Sequence, residues 1–305
     1  MDKAYVDTVR LLLEAAPEIL TTQSFALKGG TALNLFVRDM PRLSVDIDVV
    51  YVNYRRSRAE ALAEISVELG HARERLLARG MNSELVSSQR GEETKLLVSR
   101  GRSLVKIEVN HVFRGTLLPV EIKRLVETAR RLFTMESSIP VLAVPELYGS
   151  KLVAALDRQH PRDFYDVRAM QVESGLTAEM IECFVAYLAG HNRPIHEVLF
   201  SRDHDMQLAF DNEFQGMTRE PVSLTELVAT RKRLREELTS KLTKAQRRFL
   251  LSVAEAEPEW NLIGFSHLSE LPAVRWKMQN LDKLKKTNPR KFRQQADELR
   301  SRLDS

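Results

Sequence analysis

FALKGGTALNLFVRDMPRLSVDIDVVYV, residues Phe25–Val52, carries two features that rarely occur together by chance. Phe25 to Lys28 reads as a short strand and Gly29-Gly30 as a tight turn. Thr31 to Asp39 reads as a helix with Ala32, Leu33, Leu35 and Phe36 on its apolar face. A second strand from Val45 to Val52 alternates, with Val45, Ile47 and Val49 on one side and Ser44, Asp46 and Asp48 on the other. Residues two apart on a strand stand about 6.6 Å from each other, so both carboxylates can reach one divalent ion or ion pair. Asp is depleted in strands, and like charges on one face weaken them unless a cation lies between. The alternative is a solvated strand face with two inert carboxylates.

The turn adds weight to the first reading. Consecutive glycines leading into a helix let backbone amides approach a phosphate, and the helix N-terminus supplies its positive dipole. Thr31 is placed to cap that helix or to bond a phosphate. The pattern is neither GxxxxGK[ST] nor GxGxxG, which excludes P-loop and Rossmann fingerprints. A glycine pair, a one-helix spacer and a DxD strand together describe how a triphosphate and its metal are held side by side.

GGTALN followed by RLSVDIDVV resembles the first motif of the AbiEii/AbiGii type of nucleotidyltransferase toxins, within the polymerase-β-like nucleotidyltransferase superfamily. The match includes Lys28, Asn34, Arg42 and Ser44 and covers roughly the first 170 residues. The resemblance implies an α/β (α+β) fold with a polymerase-β-like sheet domain, residues 1–144, followed by a mostly helical domain, residues 145–305, that completes the cleft. It implies a toxin of a toxin–antitoxin pair. Some relatives add nucleotides to tRNA 3′ ends.

The rest of the chain is read in that frame. Tyr5 to Leu20 is an amphipathic helix, and Arg58 to Arg79 a long one closed by Gly80. Strand-like runs follow at Ser83–Ser88, Lys95–Ser99 and Leu104–Val112, with turns at Gly91 and Gly101. In the third run Lys106, Glu108 and Asn110 share the polar face. Glu108 is either a solvent-facing residue or, as the superfamily resemblance implies, the third acid beside Asp46 and Asp48. Glu121 to Phe133 reads as a helix and Ile139 to Val144 as extended.

Pro145 begins the helix PELYGSKLVAALDR and Pro161 the helix PRDFYDV, both at positions that suit proline. Lys151 and Arg158, seven apart, share a helix face. The resemblance carries over Lys151 for the nucleotide phosphates and Asp163 as a carboxylate close to the site, with Arg162 and Asp166 beside them. Asp163 could instead serve helix capping. From Thr177 onward the pattern is helical, including one long stretch over Leu224–Ala254. Asp203-His204-Asp205 lacks a further His or Cys, so a metal site there is not expected.

A single cysteine, Cys183 in the apolar run IECFVAYL, excludes an internal disulfide. No stretch approaches the ~18 apolar residues of a membrane span, and the N-terminus has no secretory h-region, so a cytoplasmic protein is expected. The net charge of +4 is uneven. Arg231–Arg248 holds eight Lys/Arg against two Glu, Arg275–Ser305 ten against four acids, and the remainder is net −8. The C-terminal part therefore suits an anionic partner, unless these are only solvated helix faces.

The expected activity is NMP transfer from an NTP to an RNA acceptor, the tRNA 3′ end foremost. Mg²⁺, with Mn²⁺ as the alternative, would be held by Asp46, Asp48 and Glu108. Lys28, Gly29, Gly30, Thr31 and Ser44 would hold the nucleotide, together with Lys151, Arg162 and Asp166. An antitoxin is the expected partner and no membrane is involved. Two other readings stay open: nucleotidyl or phosphoryl transfer to a protein hydroxyl, and NTP binding without turnover.

Overall fold

A computed structural model describes residues 2–87 and 94–304. The chain divides into two compact units, Met1–Ala143 with Phe214–Pro221 and Val144–Glu213 with Val222–Ser305. Among the described residues no helix is long and apolar enough to cross a membrane.

The first unit is a mixed α/β structure. Its helix α1 (Lys3–Ile19) is capped by Asp2, whose carboxylate accepts from Ala4 N, and it buries Val9, Leu12 and Leu13 against the sheet. Strand β1 (Phe25–Lys28) leads into α2 (Gly29–Ala32), which continues as a π-wound turn over Leu33–Val37. The helix expected from Thr31 to Asp39 thus begins at the glycines and ends earlier, where Arg38 N reaches back five residues to Leu33 O. π-turns of this kind concentrate at functional sites.

Strand β2 (Asp46–Tyr51) follows, then α3 (Arg58–Ala78), whose Ser57 and Glu60 form a reciprocal capping box. Strands β3 (Asn82–Ser87), β4 (Thr94–Arg100), β5 (Ser103–Asn110), β6 (Glu121–Arg124) and β7 (Ser138–Val141) complete a seven-stranded sheet. Its order is β3-β4-β5-β2-β1-β7-β6. Ser88 and the turn expected at Gly91 lie outside the described residues. Helix α4 (Glu127–Phe133) lies between β6 and β7.

The helix expected over Glu121–Phe133 is half wrong. Its first four residues pair antiparallel with β7 (Ile122 opposite Pro140) and extend the sheet edge, so a tertiary partner overrides their local preference. The segment Phe214–Pro221 returns to this unit: Met217 O accepts from Leu43 N at 2.8 Å and Arg219 N donates to Pro41 O at 2.9 Å. Its sequence gives no sign of that pairing.

The second unit is helical: α5 (Val144–Arg158), α6 (Pro161–Glu173), α7 (Ala178–Ala189), α8 (Ile195–Leu199), α9 (Gln207–Glu213), α10 (Leu224–Lys241), α11 (Lys244–Ala254), α12 (Pro272–Thr287) and α13 (Pro289–Asp304). Helices α5 and α7 approach very closely at Gly149, where any Cβ would stand 2.5 Å from that of Cys183. Cys183 is fully buried, and burial pushes its thiol far above its ordinary pKa. It is a packing residue. The single long helix expected over Leu224–Ala254 is two, because Thr243 and Gln246 form a capping box that starts α11.

Candidate active site

Strand register assembles the site. β2 runs antiparallel to β1 and parallel to β5, with Lys28 opposite Asp48 and Asp48 opposite Glu108. β5 in turn runs antiparallel to β4, with Lys95 opposite Glu108. Residues opposite one another in a sheet share a face, so Lys28, Asp48, Glu108 and Lys95 form one row across four strands. Asp46 and Lys106 are opposite each other one step along the same face. Ile47 and Val49 point the other way into the core with no exposed surface.

The row sets two acids, Asp48 and Glu108, side by side between two lysines. The Lys95 ammonium stands 2.6 Å from one Glu108 oxygen and the Lys106 ammonium 3.3 Å from the other. Partial burial opposes ionisation of Glu108, but the hydrogen bond from Lys95 and the charges of both lysines outweigh it. They hold the carboxyl below its ordinary pKa. A cavity of about 250 Å³ opens here, lined by Lys28, Asp48, Glu108, Lys95 and His111 among others.

The glycine turn closes against this row. Gly29 has φ +74°, and a Cβ on it would lie 2.5 Å from Asp48 Oδ2. A Cβ on Gly30 would lie 2.7 Å from Arg42 Nη2 and 3.0 Å from Ser44 Oγ. Both positions therefore exclude larger residues, and the turn is seated directly on the DxD strand. Asn34 Nδ2 donates to Gly30 O at 2.9 Å, and the buried Arg42 guanidinium donates to Leu43 O at 2.8 Å.

Thr31 behaves differently from the sequence expectation. It lies inside the helix, at 1% exposure, and its hydroxyl donates to Asp46 O at 2.5 Å and bonds Ser44 Oγ at 3.0 Å. It ties the turn to the DxD strand instead of capping the helix. Ser44 is buried as well, at 7% exposure. Their hydroxyls set the position of Asp46 from behind.

Glu108 is beside Asp48 as expected, yet its oxygens are engaged by lysines. Among the described residues no three His, Cys, Asp or Glu side chains are grouped to hold a metal. The donor chemistry at Asp46 and Asp48, two partly exposed carboxylates of which Asp48 lines the cavity, fits a hard divalent cation. Sequence reasoning set Lys106 on the polar face beside Glu108 without giving it a role, and missed Lys95 and His111. The alternation of β4 and β5 marks their faces, but only register shows that Lys95 meets Glu108.

In the second unit Lys151, Asp163 and Asp166 meet. The Lys151 ammonium is 3.0 Å from an oxygen of each carboxylate, all three are at least nine-tenths buried, and Arg158 reaches Asp163 at 3.0 Å from an exposed position. Burial disfavours the Asp163 anion, but the charges of Lys151 and Arg158 reverse that and lower its pKa. Asp163 does not cap α6. His160 does, through Nδ1 accepting from Arg162 N at 3.1 Å. Asp203 pairs with Arg231 at 3.0 Å and with Arg235, which accounts for it without a metal.

A family model described as nucleotidyl transferase AbiEii toxin, type IV toxin–antitoxin system, matches residues 10–280. The chain belongs to the AbiEii family. It is a toxin nucleotidyltransferase of a type IV toxin–antitoxin system, with an NTP as substrate and an antitoxin as partner. Its fold is similar to that of MenT4, a nucleotidyltransferase toxin from Mycobacterium tuberculosis H37Rv, with a TM-score of 0.60 at 18% identity over 92% of this chain and 94% of that one. No curated protein matches the sequence.

Proposed function

We propose that this AbiEii-family enzyme moves an NMP from an NTP to the 3′ end of an RNA, tRNA foremost, with Mg²⁺ at Asp46 and Asp48. The observation that carries the reading is the close approach of the Gly29-Gly30 turn to the Asp48 carboxylate, which supports a triphosphate held on the turn's backbone amides with its metal on the neighbouring carboxylate. The metal would supply charge neutralisation on the triphosphate and a lowered pKa for the acceptor hydroxyl. Lys28, in register with Asp48, gives the outer phosphates a counter-charge, and Thr31 and Ser44 fix Asp46. Glu108 is held ionised by Lys95 and Lys106, ready to exchange one lysine for a cation.

RNA as acceptor is supported by the distribution of basic residues in the structure. Part of the Arg231–Arg248 charge is engaged within the unit: Arg231 is buried on Asp203, Gln159 and His204 O, and Arg247 donates to Leu303 O and Thr239 O, while Lys232, Arg233, Lys241, Lys244 and Arg248 are exposed. Helices α12 and α13 also expose Arg275, Lys283, Lys286, Arg290 and Arg293, together with Trp276 at 54% exposure. Exposed cations suit phosphates, and an exposed aromatic suits an unstacked base. Incubation with each α-phosphate-labelled NTP, Mg²⁺, total RNA and cell protein is the test. Label on RNA supports the proposal, and label on protein alone replaces it with transfer to a protein hydroxyl.

A further inference from the structure

Apart from the sheet, the second unit contains a cavity of about 490 Å³ between α8, the loop that follows it and α13. That volume is ample for a small ligand. Its charges are not balanced. Two acids line it, and both are occupied: Glu298 by Arg302 at 2.6 Å, and Glu197 by Arg193 at 3.3 Å, whose other amino group holds Asp157 at 2.6 Å. Arg202 and Lys291, both exposed, line the same cavity and have no ion-pair partner among the described residues. The same lining holds the Phe200 ring, with the Arg302 guanidinium 5.6 Å from its centroid, and Gln294 and Gln295.

These groups match the parts of one chemical class. Two unpartnered cations suit a phosphate. An aromatic ring with a guanidinium over it suits a base by stacking. Two primary amides offer donors and acceptors to a base edge or a ribose hydroxyl. We infer that this cavity is a second nucleoside-phosphate site, separate from the Asp46–Asp48 site of the sheet unit. Its occupant is either a free nucleotide or one nucleotide unit of an RNA strand. The inference does not depend on which macromolecule accepts the NMP, because it rests on the lining of a cavity within one unit.

Photolabelling of the full chain tests it, with an azidoadenine mononucleotide and with a short single-stranded RNA carrying the same base, followed by mapping of the labelled peptides. Label is expected in the segments 193–204 and 289–302. The double variant Arg202→Glu/Lys291→Glu, both substitutions at exposed positions, should reduce that label at least about tenfold, the scale of one lost charge-assisted contact. Label in the sheet unit should be unchanged. Strong labelling by the mononucleotide identifies a free nucleotide as the occupant, and labelling by the RNA alone identifies a strand. Label confined to the sheet unit with both probes, or equal labelling of the double variant, overturns the inference.

Discussion

The carboxylate of Asp48 lies so close to Gly29 that a single added methyl there would stand 2.5 Å from Oδ2. Gly29 also has φ +74°, which L side chains adopt only under strain of about 1–2 kcal/mol. Gly29→Ala is therefore expected to displace Asp48 while leaving the sheet folded. Transfer should fall about tenfold or more, because misplacing a reacting group by about 1 Å can cost about 100-fold. Steady-state transfer assays with a parallel thermal melt check this. A variant with full activity would separate the turn from the chemistry.

Lys151 is locked between Asp163 and Asp166 at 3.0 Å from each. Lys151→Met removes the ammonium that two buried carboxylates share, and breaking such a cluster typically costs about 3–5 kcal/mol. Chemical denaturation should report a loss on that scale. Lys151→Met combined with Asp163→Asn and Asp166→Asn should recover much of it, since the orphaned charges are then gone. A Lys151→Met protein as stable as the wild type would show that the pair contributes nothing to the fold.

Lys277 on α12 is 5% exposed, with its ammonium donating to Arg193 O at 2.6 Å. Burial pushes its pKa down to about 8, against a weak opposing pull from Glu197. Below pH 8 both folded and unfolded chains carry the proton, and the folded state bears the full cost of a buried cation. Between pH 8 and the unfolded value of about 10.4 the unfolded chain binds more protons, so stability from this group rises with pH. Lys277→Met should thus raise the melting temperature at pH 7, with the advantage shrinking toward pH 10. A variant whose advantage is independent of pH, or absent, would contradict this.

Where the charge sits predicts salt behaviour. Replacing Lys283, Lys286, Arg290 and Arg293 by Gln should flatten the slope of log RNA affinity against log salt by about 0.7–0.9 per lost phosphate contact. Arg231→Gln should instead lower stability, since Arg231 is buried against Asp203. Filter binding across salt concentrations, with melts for each variant, separates the two. An unchanged slope in the α12–α13 variant would remove RNA from that surface.

The site's strand-turn-strand frame was legible because its signals are local: two glycines, a helix with an apolar face and a period-2 strand lie within one continuous stretch. Glu108 was legible as a polar-face residue, but not its engagement by Lys95, which depends on a pairing between strands of unknown register. Thr31 looked like a cap because hydroxyl residues after glycines often are. The hydrogen bond to Asp46 O that claims it comes from a strand fifteen residues on. The return of Phe214–Pro221 to the sheet unit and the β6 edge were invisible for the same reason, since each is held by partners distant in sequence. The break between α10 and α11, by contrast, was written locally in the Thr243–Gln246 capping box, which the reading of one long helical stretch passed over.

The most direct test of the central claim is the rate of NMP transfer from α-phosphate-labelled NTP by Asp48→Asn, measured with the wild type on the same acceptor and with melts to confirm equal folding. The side chain keeps its size and loses only its charge. If Asp48 is the metal- and phosphate-facing group of the glycine turn, transfer falls by at least about 100-fold, the scale of removing a key electrostatic group. Transfer within about threefold of wild type, well under 1 kcal/mol of barrier, would contradict the assignment of the reaction to this face of the sheet.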